Sequence, residues 1–129
     1  MTRINVGYPV ELLTRQHLIA EHREIKRIPN AVAKGRVNLK DIPQKFTLGE
    51  GHVRFFYNKL LYLLNRYKEI HKECKNRGYN VQDYSSAWDN VPERLMNDWS
   101  PSEGDKKLII ERIKERLTFF TICYINLSK

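Results

Sequence analysis

The chain opens Met1-Thr2-Arg3, and its second residue carries the most reactive group that the sequence offers. A residue as small as threonine permits removal of the initiator methionine, which leaves Thr2 with a free α-amine. Such an amine has a reference pKa of about 7.7 to 8.0, against about 10.4 for lysine, so at pH 7.5 about a third of it is neutral. A lysine at the same pH is neutral to about one part in a thousand. The amine is thus a nucleophile without burial. Its attack on a sugar C1′ gives an imine, a covalent intermediate that separates base removal from strand cleavage. Met-Thr is also a common and chemically silent start.

Glu24 is the second candidate. It lies among Arg23, Lys26 and Arg27, and a glutamate three residues before an arginine is ordinarily a surface ion pair worth a few tenths of a kcal/mol. As a carboxylate among cations it is equally available to stabilise positive charge or accept a proton. Gln16, Ala20, Arg23 and Arg27 fall on one helical stripe, which could follow a phosphate backbone; a solvated helix face explains the same spacing. The histidines have weaker claims. His52 stands at the expected start of a helix, where capping or packing is the simpler role, and His22 and His71 read as surface residues. Two cysteines, Cys74 and Cys123, are too few for a disulfide framework or a four-cysteine metal site, and no histidine spacing suggests a structural metal.

The elements that must position these groups are helical. Val10 to Ile28 is rich in helix formers, with Leu12, Leu18, Ile19, Ile25 and Ile28 between charges. Pro29 disturbs that helix, and Gly35 supplies a stop beyond Val32. Residues 36 to 50 read as a crossing loop. From Gly51 to Arg77 the apolar residues Val53, Phe56, Leu60, Leu63, Tyr67, Ile70 and Cys74 recur at spacings of three and four, which predicts one long central helix ending at Gly78. Residues 79 to 99 form a long surface connection pinned by Trp88 and Trp99. Ser100, Pro101 and Glu103 form a helix-start signature, and the last helix packs through Ile109 or Ile110, Ile113 and Leu117. The tail from Phe119 to Ile125 is apolar enough to dock on the core or on a ligand. The expected fold is all-α: one domain of three main helices joined by long loops.

Composition bounds the partners. With 129 residues the chain fits a single helical core. Lys and Arg total 23 against 15 Asp and Glu, a net charge of +8, which suits nucleic acid but also an anionic membrane surface or an acidic protein. No run reaches the roughly 18 apolar residues of a membrane span, and the N-terminus lacks the apolar stretch of a secretory signal. The expectation is a soluble, intracellular protein.

Three separated blocks carry a family resemblance. They are the start MTRIN with QHLIAEHRE (Gln16 to Glu24) and Arg27; FTLGEGHVRFFYNKL (Phe46 to Leu60); and Glu73, Cys74, Arg77 and Gly78 followed by Asp89, Pro92, Asp98 and Pro101. Together they resemble the pyrimidine-dimer DNA glycosylase and AP lyase family of the bacteriophage endonuclease V type, over most of the chain and in order. The resemblance implies that the Thr2 amine attacks C1′ of a damaged nucleotide. It implies that Glu24 supports the cationic sugar intermediate and assists proton removal from C2′. Arg3, Arg23 and Arg27 match positions that hold DNA phosphates, and Gln16 and His17 match polar residues beside the lesion pocket. The implied partner is damaged double-stranded DNA, and no metal or organic cofactor is needed; nothing in the sequence demands more than a monomer. The family fold threads its N-terminus between helices. Departures from the pattern are a shorter loop after Val32, Leu108 in place of an arginine, and Phe119-Phe120 in a tail that elsewhere has a Trp-Tyr pair. They bear on lesion choice, and leave open the same imine chemistry on an oxidised base or abasic site, or a silent DNA-binding module. Phe119 and Phe120 could stack on bases or belong to the core.

Overall fold

The structure, a computed structural model, describes the backbone of residues 2–127 and the side chains of residues 2–116. Five helices are present among the described residues, with no strand: α1 (Arg15–Glu24), α2 (Arg27–Ala33), α3 (His52–Phe55), α4 (Leu60–Asn76) and α5 (Glu103–Leu127). The all-α class expected from periodicity is what forms.

The N-terminal segment is extended and runs through the interior. Ile4 and Val6 are wholly buried, with Arg3 and Asn5 half-buried or turned to polar partners. Two buried aliphatic side chains contribute roughly 1.5–3 kcal/mol each, enough to fix a segment that would otherwise fray. At Gly7 (φ 70°) the chain turns, the Tyr8 amide donating to the Asn5 carbonyl at 3.2 Å. Glycine is needed there twice over, since a Cβ would also sit 2.7 Å from Lys106 Cγ. The threading of the N-terminus between helices is thereby observed.

The helix expected from Val10 to Ile28 is divided. Val10–Leu12 make only a 3-10 turn, which leaves Leu12 67% exposed, and Thr14 then caps α1 by accepting the His17 amide at 3.3 Å. The next break is at Ile25 and Lys26, and Pro29 causes it. Having no N–H, Pro29 cannot bond the Ile25 carbonyl, and its ring crowds that group. The carbonyl is instead reached by the Ile28 amide at 3.4 Å, and α2 starts afresh with Pro29 in its first turn, where proline is tolerated. Gly35 ends α2 as expected: its amide donates to Val32 and that of Arg36 to Ala31, the paired bonds of a left-handed cap. Gly78 closes α4 in the same way, through Cys74 and Lys75.

The single helix expected from Gly51 to Arg77 is two. After α3 a 3-10 turn at Phe56–Asn58 leads to Lys59 (φ −130°, ψ 44°), and only then does α4 begin. Carbonyls freed by the break find side-chain donors: Lys59 Nζ meets Phe55 O at 3.0 Å and Asn97 Nδ2 meets Asn58 O at 2.9 Å. Because the chain rotates here, the consecutive Phe55 and Phe56 are both fully buried, which one amphipathic stripe could not achieve, while Val53 is only half-buried. From Leu60 the stripe holds through Leu63, Tyr67, Ile70 and Cys74, all buried, and α1 packs upon it.

Between α4 and α5 the chain runs through two 3-10 turns, Ser85–Trp88 and Glu93–Leu95. Trp88 is buried, its indole N–H on the Leu60 carbonyl at 3.0 Å, and Trp99 stands edge-on to Phe55 and Tyr62 with centroids 5.0 and 5.1 Å away. The connection is pinned by aromatics as expected. The start of α5 lies two residues beyond the expected signature: Ser102 Oγ accepts the Asp105 amide at 3.1 Å, and Asp105 Oδ2 accepts the Ser102 amide at 3.0 Å. That reciprocal pair satisfies two helix-end donors at once, which Ser100 and Glu103 do not do here. Ile109 and Ile113 face the core and Ile110 faces outward. Leu117, Phe119, Phe120 and the other tail side chains lie outside the described residues.

Candidate active site

A cavity of about 360 Å³ opens where the N-terminal segment, α1 and α5 meet. The segment contributes Arg3 and Asn5. One face of α1 contributes Gln16, Ala20 and Arg23, with His17, Glu21 and Glu24 beside them, and α5 contributes Arg112, Ile113 and Arg116. Four arginines thus face two glutamates, a positive mouth suited to an anionic ligand.

Of the residues singled out in the sequence, Arg3, Gln16, His17, Arg23 and Glu24 come together on this cavity. Thr2, 9% exposed, is the residue next to Arg3. Arg27 does not join them. It is exposed and lies outside the lining. Glu24 pairs with Arg23, at 3.5 Å. Its other oxygen accepts the backbone amide of Arg3 at 3.3 Å, so the carboxylate stands within one residue of the Thr2 backbone nitrogen.

Beneath the cavity lies a charged pair that sequence reasoning missed. Glu21, 1% exposed, accepts Arg66 Nε at 2.8 Å, Arg66 NH2 at 3.1 Å and Asn5 Nδ2 at 2.8 Å. The remaining Arg66 amine donates to the Tyr8 carbonyl at 2.7 Å. Arg112 of α5 completes the network from above, donating to Asn5 Oδ1 at 2.9 Å and to the Ile4 carbonyl at 3.4 Å. Among the described residues no buried side-chain polar atom lacks a partner, so the floor of the site is rigid. A signal was available for both. Glu21 sits between Leu18 and Ile25 on the apolar face of α1, and Arg66 beside Leu63 and Tyr67 on that of α4, each a charge in a core register. Arg112 and Arg116 share a face with Ile109 and Ile113 by the same spacing.

Burial, with Arg116, Arg112 and Arg3 adding to it, holds the His17 imidazole below its usual range, so the cavity wall presents a neutral ring. Its Nδ1 lies 2.7 Å from Thr14 Oγ1. His22 corrects the surface expectation: it is 3% exposed, with Nε2 3.1 Å from His71 Nδ1, and burial drives its pKa down to about 4. The α1–α4 contact closes over it, an effect invisible in a local sequence window.

His52 packs as expected and does more. Its Nδ1–H donates to the Thr47 carbonyl at 2.9 Å, and Nε2 accepts the Ile4 amide at 3.0 Å. Burial pushes its pKa down to about 4; Arg112 and Arg3 act in the same direction, while the Thr47 carbonyl and Glu21 oppose them. The unfolded chain therefore takes up this proton near pH 6.5 and the folded one only near 4. Stability from this group is complete above pH 6.5 and declines as pH falls toward 4, by about 3 kcal/mol in all. Unfolding free energies from urea titrations should accordingly fall between pH 7 and pH 5 by about 2 kcal/mol more in the native protein than in His52→Gln, whose side chain does not titrate. Equal acid sensitivity in the two proteins would remove His52 from the account.

The family model described as pyrimidine dimer DNA glycosylase matches residues 1–85, which include the N-terminal segment, α1 and α4. The chain belongs to the pyrimidine dimer DNA glycosylase family, a DNA-repair class whose substrate is damaged DNA. Among the described residues no helix is long and apolar enough to cross a membrane, and no group of three or more metal-ligating side chains forms.

Proposed function

We propose that this glycosylase excises pyrimidine dimers from duplex DNA with the α-amine of Thr2, freed by removal of Met1, and then nicks the strand as an AP lyase. The carrying observation is the bond from the Arg3 amide to Glu24, which brings a carboxylate to the residue beside the nucleophile. The neutral amine attacks C1′ of the damaged nucleotide, and the bond to the base breaks with its electron pair leaving on the base. Of the two amine protons, one passes to the departing base and the other to O4′ as the sugar ring opens, leaving the imine. Glu24 offsets the positive charge that develops at C1′ and then takes a proton from C2′. The electrons move toward the imine carbon, the C3′–O bond breaks, and the phosphate leaves. Water hydrolyses the imine and restores the amine. The chain's own groups suffice, with no cofactor or metal.

A sugar carbon inside a duplex is out of reach, so a nucleotide must leave the stack. That costs a few kcal/mol, least where damage has already weakened pairing. In this reading phosphates are held by Arg3 and Arg23 at the cavity mouth, with Arg112 and Arg116 beside them, while exposed Arg27 contacts the backbone from outside and Gln16 and His17 line the pocket. Five phosphate contacts imply that log Kobs for an intact duplex falls with log salt at a slope of about −4.5, measurable by anisotropy. A slope near zero would deny the arginines that role.

The deciding experiment is borohydride trapping on dimer-containing, oxidised-base and abasic duplexes at matched salt, with the Thr2 terminus verified by mass spectrometry. A covalent adduct at Thr2 with the dimer duplex is expected. No adduct on any duplex leaves a DNA-binding protein without imine chemistry, and adducts only with the other lesions reassign the substrate.

A further inference from the structure

The segment that carries Thr2 is clamped at its next two residues from three sides. Glu24 of α1 holds the Arg3 amide, His52 of α3 holds the Ile4 amide, and Arg112 of α5 holds the Ile4 carbonyl. Glu24 and Arg112 line the cavity itself; His52 does not line it. It acts on the peptide group that follows Arg3, from behind.

The ring is built for that single contact. Donation from Nδ1–H to Thr47 leaves Nε2 a bare acceptor, and only a neutral imidazole has one. Edge-on contacts with Phe46 (centroids 5.5 Å apart) and Phe56 (5.4 Å) fix its plane. Burial keeps it neutral throughout the range in which an α-amine is reactive.

We propose that His52 is a positioning residue for the Thr2 amine: its Nε2 fixes the Ile4 peptide and so sets where the amine stands relative to Glu24 and the sugar. This rests on Thr2 being the nucleophile. A displacement of about 1 Å can cost on the order of 100-fold in a reaction that depends on approach geometry, and loss of one amide anchor two residues from the amine permits such a displacement.

Two substitutions separate the contact from the bulk of the ring. In His52→Asn the amide replaces Nδ1, keeping the donor to Thr47 and losing the acceptor for Ile4. In His52→Gln a non-titrating carbonyl oxygen reaches the Nε2 position. With the full-length processed protein, single-turnover borohydride trapping on an abasic duplex should slow by about 10- to 100-fold in His52→Asn, and stay near the native rate in His52→Gln. Duplex Kd should be unchanged in both. Reductive labelling of the Thr2 amine by glyoxylate without DNA, read by peptide mapping, should be at least as fast in His52→Asn as in the native protein, because that reaction needs no positioning.

Native trapping and Kd in His52→Asn would overturn the proposal, and so would equal slowing in both variants, since the ring's packing and not its acceptor would then be at work. If His52→Asn does not fold, His52→Gln decides: a retained rate supports the contact and a loss beyond about tenfold overturns it. Failure of the native protein to trap any duplex is a different result, overturning the role of Thr2 and with it this one.

Discussion

Glu24→Gln should bind duplex DNA with nearly native affinity and cleave a dimer-containing strand about 10²- to 10⁴-fold more slowly, the span expected when one proton-transfer group is lost. The substitution is nearly isosteric. The glutamine carbonyl oxygen can still accept the Arg3 amide now held by Glu24 at 3.3 Å, so the N-terminal segment keeps its anchor. The ion pair given up is with Arg23, a side chain 59% exposed, and such pairs contribute little in water. What disappears is a group that can take a proton from C2′ and a negative charge beside C1′. Single-turnover cleavage and anisotropy on the same duplex give both quantities. Trapping should be less impaired than cleavage, because imine formation uses the charge alone while elimination also uses the base. Cleavage within about threefold of native, against the loss expected for a missing base, would remove Glu24 from the chemistry.

The largest effect on stability should come from Glu21→Ala, at about 3–5 kcal/mol, the range for removing one partner of a buried ion pair. Glu21 is 1% exposed and takes three hydrogen bonds from Arg66 and Asn5. Without it the Arg66 guanidinium, 5% exposed, keeps only the Tyr8 carbonyl. A buried cation without its counter-charge is far costlier than the pair is beneficial, so the double change Glu21→Leu with Arg66→Met should recover much of the loss. Urea unfolding of the three proteins measures this. A Glu21→Ala midpoint close to native would mean that water reaches Arg66. If the double variant folds well yet cleaves poorly, the pair's role is to orient Asn5 and the segment bearing Thr2.

Much of the positioning machinery was legible in the chain. The three-and-four spacing from Leu60 to Cys74 and the glycines at 35 and 78 depend on local geometry, and each formed as read. Of the stripe read as Gln16, Ala20, Arg23 and Arg27, the first three line the cavity for the same reason, since side chains three and four residues apart on a helix share a side, while Arg27 lies outside it. The misplacements lie where partners distant in sequence settle the matter. Asn97 and Trp88 supply donors at the junction that splits the expected long helix, and no window around Lys59 contains them. His22 reads as a surface residue until Tyr67, His71 and Tyr84 close over it.

The sequence by itself determined an all-α chain with a basic surface, a small residue able to expose a terminal amine, and a carboxylate among arginines one face away, since composition and helical period act through near neighbours. Tertiary structure realised the threading of the terminus that the family resemblance implied. It alone brought Glu24 and His52 onto successive peptide amides 21 and 48 residues away, and set Glu21 opposite Arg66. These are desolvated polar contacts between distant elements. Their strength depends on the exclusion of water, which exists only once α1, α3, α4 and α5 have closed around the segment.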